Sequence, residues 1–150
     1  MSIETANMTV GEFLAKASDF GFTVRDRPEF EERYYETKTS PVLDSIGSDM
    51  FNEEVGYEPI YDAYGNYTGQ DATVHIVSVK ATSMTIGIFD RPSEDWIQIT
   101  VNYEFETTWS NRRRHSYIEY TNCDKVKDWK IAELIDAIEK EIWNDIRCEC

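Results

Sequence analysis

Basic residues are missing from a long stretch of this chain. Between Thr39 and Val79 there is no Lys or Arg, whereas acidic residues recur throughout that span. The whole chain carries 15 Lys and Arg against 29 Asp and Glu, a formal net charge of −14. Because affinity for phosphates depends on Lys and Arg, this charge argues against direct binding of nucleic acid or of an anionic membrane. It favours a basic partner instead.

Cysteine, histidine and long apolar runs are also scarce. The cysteines Cys123, Cys148 and Cys150 are odd in number and two of them end the chain, which does not indicate a disulfide framework. The histidines His75 and His115 complete no zinc-binding pattern. Neither a secretory signal pattern nor a membrane-spanning apolar run is present, so we expect a cytoplasmic protein without membrane association.

Catalytic motifs are absent from the sequence. We find no phosphate-binding glycine loop, no nucleophile elbow and no HExxH helix. The sequence therefore predicts a protein that is not an enzyme, with no catalytic residue, no metal and no cofactor. If Cys123 lies at the start of the last helix, the helix dipole is expected to lower the pKa of its thiol.

The clearest structural element is a strand over Asp95–Thr107. Its odd positions from Ile97 to Phe105 are apolar and its even positions are polar. One face is therefore buried and the other wet, as in an antiparallel sheet covered on one side. Further strands are predicted over Thr73–Lys80, Met84–Phe89 and Ser116–Tyr120, with turns at 81–83, 91–94 and 109–114. Consecutive strands joined by short turns predict an antiparallel meander.

Two helices are expected to cover the apolar face of this sheet. Thr9 and Glu12 form a capping box before a first helix that ends at Gly21. Apolar residues spaced three and four apart predict a C-terminal helix over about Asp124–Ile146. The sequence thus predicts a single α+β domain over 1–150: an antiparallel meander of about four to six strands, packed against a long C-terminal helix and a shorter N-terminal helix.

The region between these elements is less regular. Asp26 to about Glu36 fits either a short helix or a strand. A helical turn is expected around Val42–Ile46, within an otherwise loop-like segment. Pro59–Tyr64, a Gly-Asn turn and the residues that follow predict a β-hairpin.

The acidic span also carries tyrosines, and we predict that it is a binding surface rather than only a solvated loop. Spaced carboxylates can imitate a row of phosphates, and tyrosines add rigid apolar contact area. Such a surface would occupy the basic groove of a nucleic-acid-binding protein and exclude nucleic acid from it. The predicted partner-binding residues are Asp44, Asp49, Glu53, Glu54, Tyr57, Glu58, Tyr61, Asp62 and Tyr64.

The basic residues Arg112, Arg113 and Arg114 form a cluster of their own. They are a predicted secondary contact, suited to an acidic patch of a partner or to a phosphate. The alternative is a hairpin tip whose arginines pair with acids of the same domain.

In size, charge and layout the chain resembles small acidic inhibitors from phages and mobile elements, including anti-CRISPR proteins and DNA mimics. No residue motif carries this resemblance, so no site is transferred from it. The resemblance implies a counter-defence protein in the cytoplasm of an infected host.

Two other functions stay open. In a metal-dependent hydrolase or nuclease, Glu36 would act with Asp26 or Glu29, or Glu104 and Glu106 would act with a neighbouring Glu119. A small structural or assembly protein is the third possibility, and it would form a symmetric oligomer.

Overall fold

The computed structural model describes residues 1–91, 94–109 and 111–149, without the side chains of Arg91, Glu94, Asn111, Cys148 and Glu149. The predicted α+β fold is confirmed as an antiparallel sheet of six strands with short N-terminal helices and a C-terminal helix. The helices are α1 (Ile3–Asn7), α2 (Val10–Ala15), α3 (Pro41–Ser45), α4 (Cys123–Lys127) and α5 (Ile131–Glu149). The strands are β1 (Thr23–Arg27), β2 (Glu32–Thr37), β3 (Glu54–Tyr61), β4 (Tyr67–Arg91), β5 (Glu94–Thr107) and β6 (Asn111–Thr121).

The strand order in the sheet is β1-β2-β4-β5-β6, and β3 also pairs with β4. All pairings are antiparallel. β4 has two partners on the edge opposite β5: residues 67–75 pair with β3 and residues 84–89 pair with β2. Of the predicted turns, the one at 91–94 and the one at 109–114 fall partly outside the described residues.

The predicted turn at 81–83 is wrong, because β4 runs through it as one strand of 25 residues. The pairing of β4 with β5 shifts register between Ala81 and Ser83, so one extra residue is absorbed as a bulge. The Thr82 hydroxyl donates to the Asn102 carbonyl oxygen at 3.2 Å, which holds the bulge against β5. Small polar residues therefore mark an irregularity within a strand here, not the end of one.

The segment from Asp26 to about Glu36, which fits either a helix or a strand in sequence, forms the end of β1 and most of β2. Pro28–Phe30 make a turn of 3-10 helix between them, and Glu31 has a left-handed backbone with φ 58°. The helical turn expected around 42–46 is α3, whose N-cap Ser40 accepts from the Val42 amide. The Thr9 cap is also confirmed: its hydroxyl accepts from the Glu12 amide at 3.1 Å.

The predicted C-terminal helix is interrupted into α4 and α5. The Trp129 carbonyl oxygen accepts from the Val10 amide at 2.7 Å, and the Ile131 amide donates to the Met8 carbonyl oxygen at 2.9 Å. Lys130 forms an isolated β-bridge with Thr9. The N-terminal segment thus takes the backbone groups that a continuous helix would use.

The core lies between α5 and the apolar face of the sheet, as predicted. The helix contributes Ile131, Leu134, Ile135, Ile138, Ile142 and Ile146, all buried in one cluster with Ile97, Ile99, Val101, Tyr103 and Phe105 of β5. None of the helices in the described part of the chain is long and apolar enough to cross a bilayer.

Truncation of Ile142 tests this packing. Its side chain is fully buried, so Ile142→Ala is expected to lower the free energy of unfolding by about 2–5 kcal/mol through lost burial and the cavity left behind. Ile3→Ala, the same change at an exposed site, is the control. A urea titration in which both variants unfold at the wild-type midpoint would contradict this packing.

Candidate functional site

A two-stranded ribbon made by β3 and the first part of β4 extends beyond the rest of the sheet. We call residues 57–72 the arm. Every residue from Pro59 to Ala72 is exposed, so neither face of the ribbon covers a core there. No Lys or Arg lies in the arm, whereas Glu58, Asp62 and Asp71 do. The predicted hairpin is confirmed, and its exposure on both faces makes it a candidate contact element.

The turn of the arm is held by Asp62. One carboxylate oxygen of Asp62 accepts from the amides of Tyr64 and Asn66, each at 2.9 Å, and its own amide donates to the Asn66 carbonyl oxygen at 2.8 Å. Gly65 supplies the left-handed backbone, with φ 81°, that the turn requires. Asp62 therefore has a structural task in addition to the predicted partner contact.

The base of the arm is fixed to the core. Val55 and Val74 are buried there, one on each strand. The indole Nε1 of Trp143 on α5 donates to the Glu54 carbonyl oxygen at 3.1 Å. The Ile76 amide donates to the Glu53 carbonyl oxygen at 2.9 Å. The arm is therefore preorganised, which lowers the entropy lost when such an element binds a partner.

Tyrosines are the largest side chains on the arm, and all four are exposed. The exposed fractions are 65% for Tyr57, 61% for Tyr61, 90% for Tyr64 at the tip and 53% for Tyr67. Tyr67 was not among the predicted contact residues, nor was Asp71, to which its hydroxyl donates at 2.8 Å. The hairpin pattern could have indicated Tyr67, because it pairs with Tyr61 across the ribbon.

The predicted contact residues fall into two groups. Six of them belong to the arm and its base: Glu54, Tyr57, Glu58, Tyr61, Asp62 and Tyr64. The other three, Asp44, Asp49 and Glu53, lie in or after α3. They lie close to Asp136 and Glu139 of α5, which line two grooves. Asp49 and Glu53 line the first groove with these two acids, and Asp44 and Asp49 line the second. We call this second group the body patch.

Glu139 shows how much negative charge the body patch concentrates. Burial, followed by the nearby charges of Asp49, Asp136 and Glu53, raises the pKa of its carboxyl to about 7, although the Gly47 amide donates a hydrogen bond that lowers it. Glu139 therefore keeps its proton to a higher pH than an ordinary glutamate does.

The arginine cluster lies in strand β6 and not at a hairpin tip. Arg113 Nε is 3.2 Å from Glu104 Oε1, and Arg114 donates to the Asp145 carbonyl oxygen at 3.2 Å. The alternative of pairing with acids of the same domain thus accounts for Arg113, whereas the contact of Arg114 is with a backbone carbonyl oxygen. A contact of Arg112, Arg113 and Arg114 with a partner stays a prediction.

The structure does not bring Asp26 together with Glu36, nor Glu119 together with Glu104 and Glu106. Asp26 pairs with Arg33 and Glu36 with Arg25, on opposite faces of β1 and β2, because side chains alternate along a strand. Glu119 lies opposite Gln98, six residues along β5 from Glu104, which is about 20 Å. Across the part of the chain that the structure describes, no three His, Cys, Asp or Glu side chains are grouped so that they could hold a metal ion.

Cys123 is the first residue of α4, as the dipole argument required, but its thiol is buried. Burial raises the pKa of that thiol despite the nearby Lys127, so the expected lowering is wrong. Cys150 and the side chain of Cys148 lie outside the described residues.

No protein-family model, curated protein or solved structure matches the chain.

Substitution of Glu139 tests the electrostatics of the body patch. A carboxyl whose folded pKa of about 7 exceeds its ordinary 4.5 contributes stability that is complete at low pH and is lost as pH rises through 7. Glu139→Gln, which copies the neutral form, should match wild type near about pH 4 and be more stable by roughly 1–3 kcal/mol near about pH 8. Urea titrations of both, with the exposed Glu133→Gln as control, measure this. Equal free energies of unfolding at the higher pH would show that the surroundings of Glu139 do not destabilise its ionised carboxyl.

Substitution of Asp62 tests the turn of the arm. Asp62→Ala removes the acceptor for the Tyr64 and Asn66 amides, which should then exchange with solvent about tenfold faster. Asp62→Asn keeps an acceptor oxygen and loses only the charge, so it should retain the wild-type exchange rates. Hydrogen exchange followed by NMR measures both, with buried β5 amides unchanged. Wild-type rates in Asp62→Ala would mean that another contact holds the turn.

Proposed function

We propose that this chain is a non-enzymatic interaction protein whose acidic surface binds a basic nucleic-acid-binding protein and blocks its access to nucleic acid. The observation that carries the proposal is the arm: a preorganised ribbon, exposed on both faces, acidic and free of Lys and Arg. A domain that needed acidity only for solubility would gain nothing from a stiff ribbon that also exposes four tyrosines.

Charge complementarity selects the kind of partner. The body patch and the arm follow one another in the chain, and no cation lies in the span that includes both. A negative field of that extent speeds encounter with a positive groove and disfavours acidic partners. Grooves that bind nucleic acid are the positive surfaces that such a field fits best.

The shape of the arm supports blocking rather than simple adhesion. A two-stranded ribbon has the cross-section that a major-groove-sized or single-strand channel accepts. An occupant of that size would place carboxylates where phosphates otherwise lie. A phage or mobile-element origin, which the resemblance implies, is part of the same proposal.

Charge reversal tests the proposal. In Glu53→Lys/Glu54→Lys/Glu58→Lys the net charge changes from −14 to −8, because each reversal replaces a negative charge by a positive one. Immobilised wild type should capture basic nucleic-acid-binding proteins from a bacterial lysate, release them as salt rises, and inhibit their nucleic-acid binding in a gel-shift assay. The variant should lose at least about tenfold in affinity for a captured protein.

The matched control changes the same charge elsewhere. Glu29→Lys/Glu119→Lys/Glu133→Lys also gives −8, and all three sites are exposed and lie away from the arm. This control should bind as wild type does, apart from a small loss through long-range attraction. Equal affinity of the two triple variants would contradict the proposed surface. A captured protein that still binds nucleic acid would contradict the blocking role.

A further inference from the structure

Three of the four tyrosines of the arm lie on one of its faces. Cross-strand pairs place Tyr57 opposite Thr73 and Tyr61 opposite Tyr67. The rings of Tyr61 and Tyr67 lie 6.3 Å apart, and the Tyr67 hydroxyl reaches Asp71, which sits two residues from Thr73 and therefore on the same side of β4. We call Tyr57, Tyr61, Tyr67 and Asp71 the tyrosine face.

Several aromatic rings elsewhere in the described part of the chain have an arginine over them. Arg25 lies over Tyr34 at 4.8 Å from the ring centroid, Arg27 over Phe30 at 4.5 Å and Arg147 over Trp143 at 5.2 Å. The tyrosine face lies in the span without Lys or Arg. Arg147 of α5 lines a groove with Tyr57 at the base of the arm, but its guanidinium lies over Trp143. The rings of the tyrosine face remain more than half exposed, and the carboxylate of Asp71 lies beside Tyr67.

We infer that the tyrosine face binds arginine side chains of the partner, whose guanidinium groups stack on the tyrosine rings and pair with Asp71. This inference rests on the proposed function and specifies the chemistry of the groove that the arm enters. A guanidinium is planar and weakly hydrated, so it stacks on an aromatic ring and binds a carboxylate with two hydrogen bonds at once. A lysine ammonium is a compact and strongly hydrated charge, which gains less from the same face.

A second copy of the chain is a poorer occupant of this face. Two arms brought together would oppose acidic residues with no cation between them, which is repulsive. An arginine-lined groove supplies the missing charge and covers the exposed rings in one contact.

The test compares two fluorescent peptides of equal length and charge, one of ten arginines and one of ten lysines, for binding to the whole chain by fluorescence anisotropy. Wild type should prefer the arginine peptide by about fivefold to thirtyfold, the range expected when two or three rings contribute. Tyr57→Leu/Tyr61→Leu keeps apolar bulk but removes the rings, so the preference should fall to about twofold or less. Tyr57→Phe/Tyr61→Phe keeps the rings and should keep the preference.

Two exposed aromatic residues outside the arm provide the control. Phe51→Leu/Trp109→Leu removes the same number of aromatic side chains and should leave the preference for arginine unchanged. Both substituted arm tyrosines are exposed and make no hydrogen bond in the turn, so the Leu variant should fold, as circular dichroism and the urea midpoint would verify.

Three results would overturn the inference. The first is equal affinity of the wild type for the two peptides. The second is a preference for the arginine peptide that persists in Tyr57→Leu/Tyr61→Leu. The third is a wild-type dimer in sedimentation analysis that Tyr57→Leu/Tyr61→Leu dissociates, because the face would then belong to a second copy. If the tyrosine substitutions leave the preference for arginine unchanged while the charge reversals still abolish partner binding, the proposed function stands and this inference does not.

Discussion

One constraint governs the molecule: β4 is a single strand that serves two structures. Its later part lies in the middle of the sheet, where Ile76, Ile86 and Ile88 are buried, and each such side chain contributes about 1.5–3 kcal/mol of hydrophobic stabilisation. Its earlier part is one half of the arm. An isolated hairpin is marginally stable in water, so the ribbon depends on this shared backbone for its order.

Charge and burial are divided between regions of the molecule. The arm holds acids and tyrosines and no core, and the core beneath α5 is almost entirely apolar. The boundary between the two regions lies at α5, where Glu139 is half-buried beside Asp49 and Asp136 and has a raised pKa. Negative charge is thus kept at a cost to stability, which is the pattern expected where charge serves binding more than folding.

Local chemistry explains which features could be predicted. The alternation of apolar and polar residues along β5 and the apolar stripe on α5 follow from burial of one face of each element. The hairpin turn follows from Asp62 and Gly65. These features could therefore be predicted from the sequence. The break before α5 could not, because it depends on hydrogen bonds to Met8 and Val10, more than a hundred residues earlier. The position of Asp49 beside α5 likewise depends on tertiary packing. For the same reason, the exposure of both faces of the arm could not be inferred from its pattern of residues.

The continuity of β4 also gives the arm a mechanical role. A load applied near Tyr64 passes along the strand into its ladder with β5, which extends from Ile76 to Arg91. The hydrogen bonds of that ladder lie across the direction of pull, so they share the load instead of breaking one after another. The tip of the arm is therefore mechanically coupled to the centre of the sheet. A partner that binds the tip would also stabilise β4, the central strand of the fold.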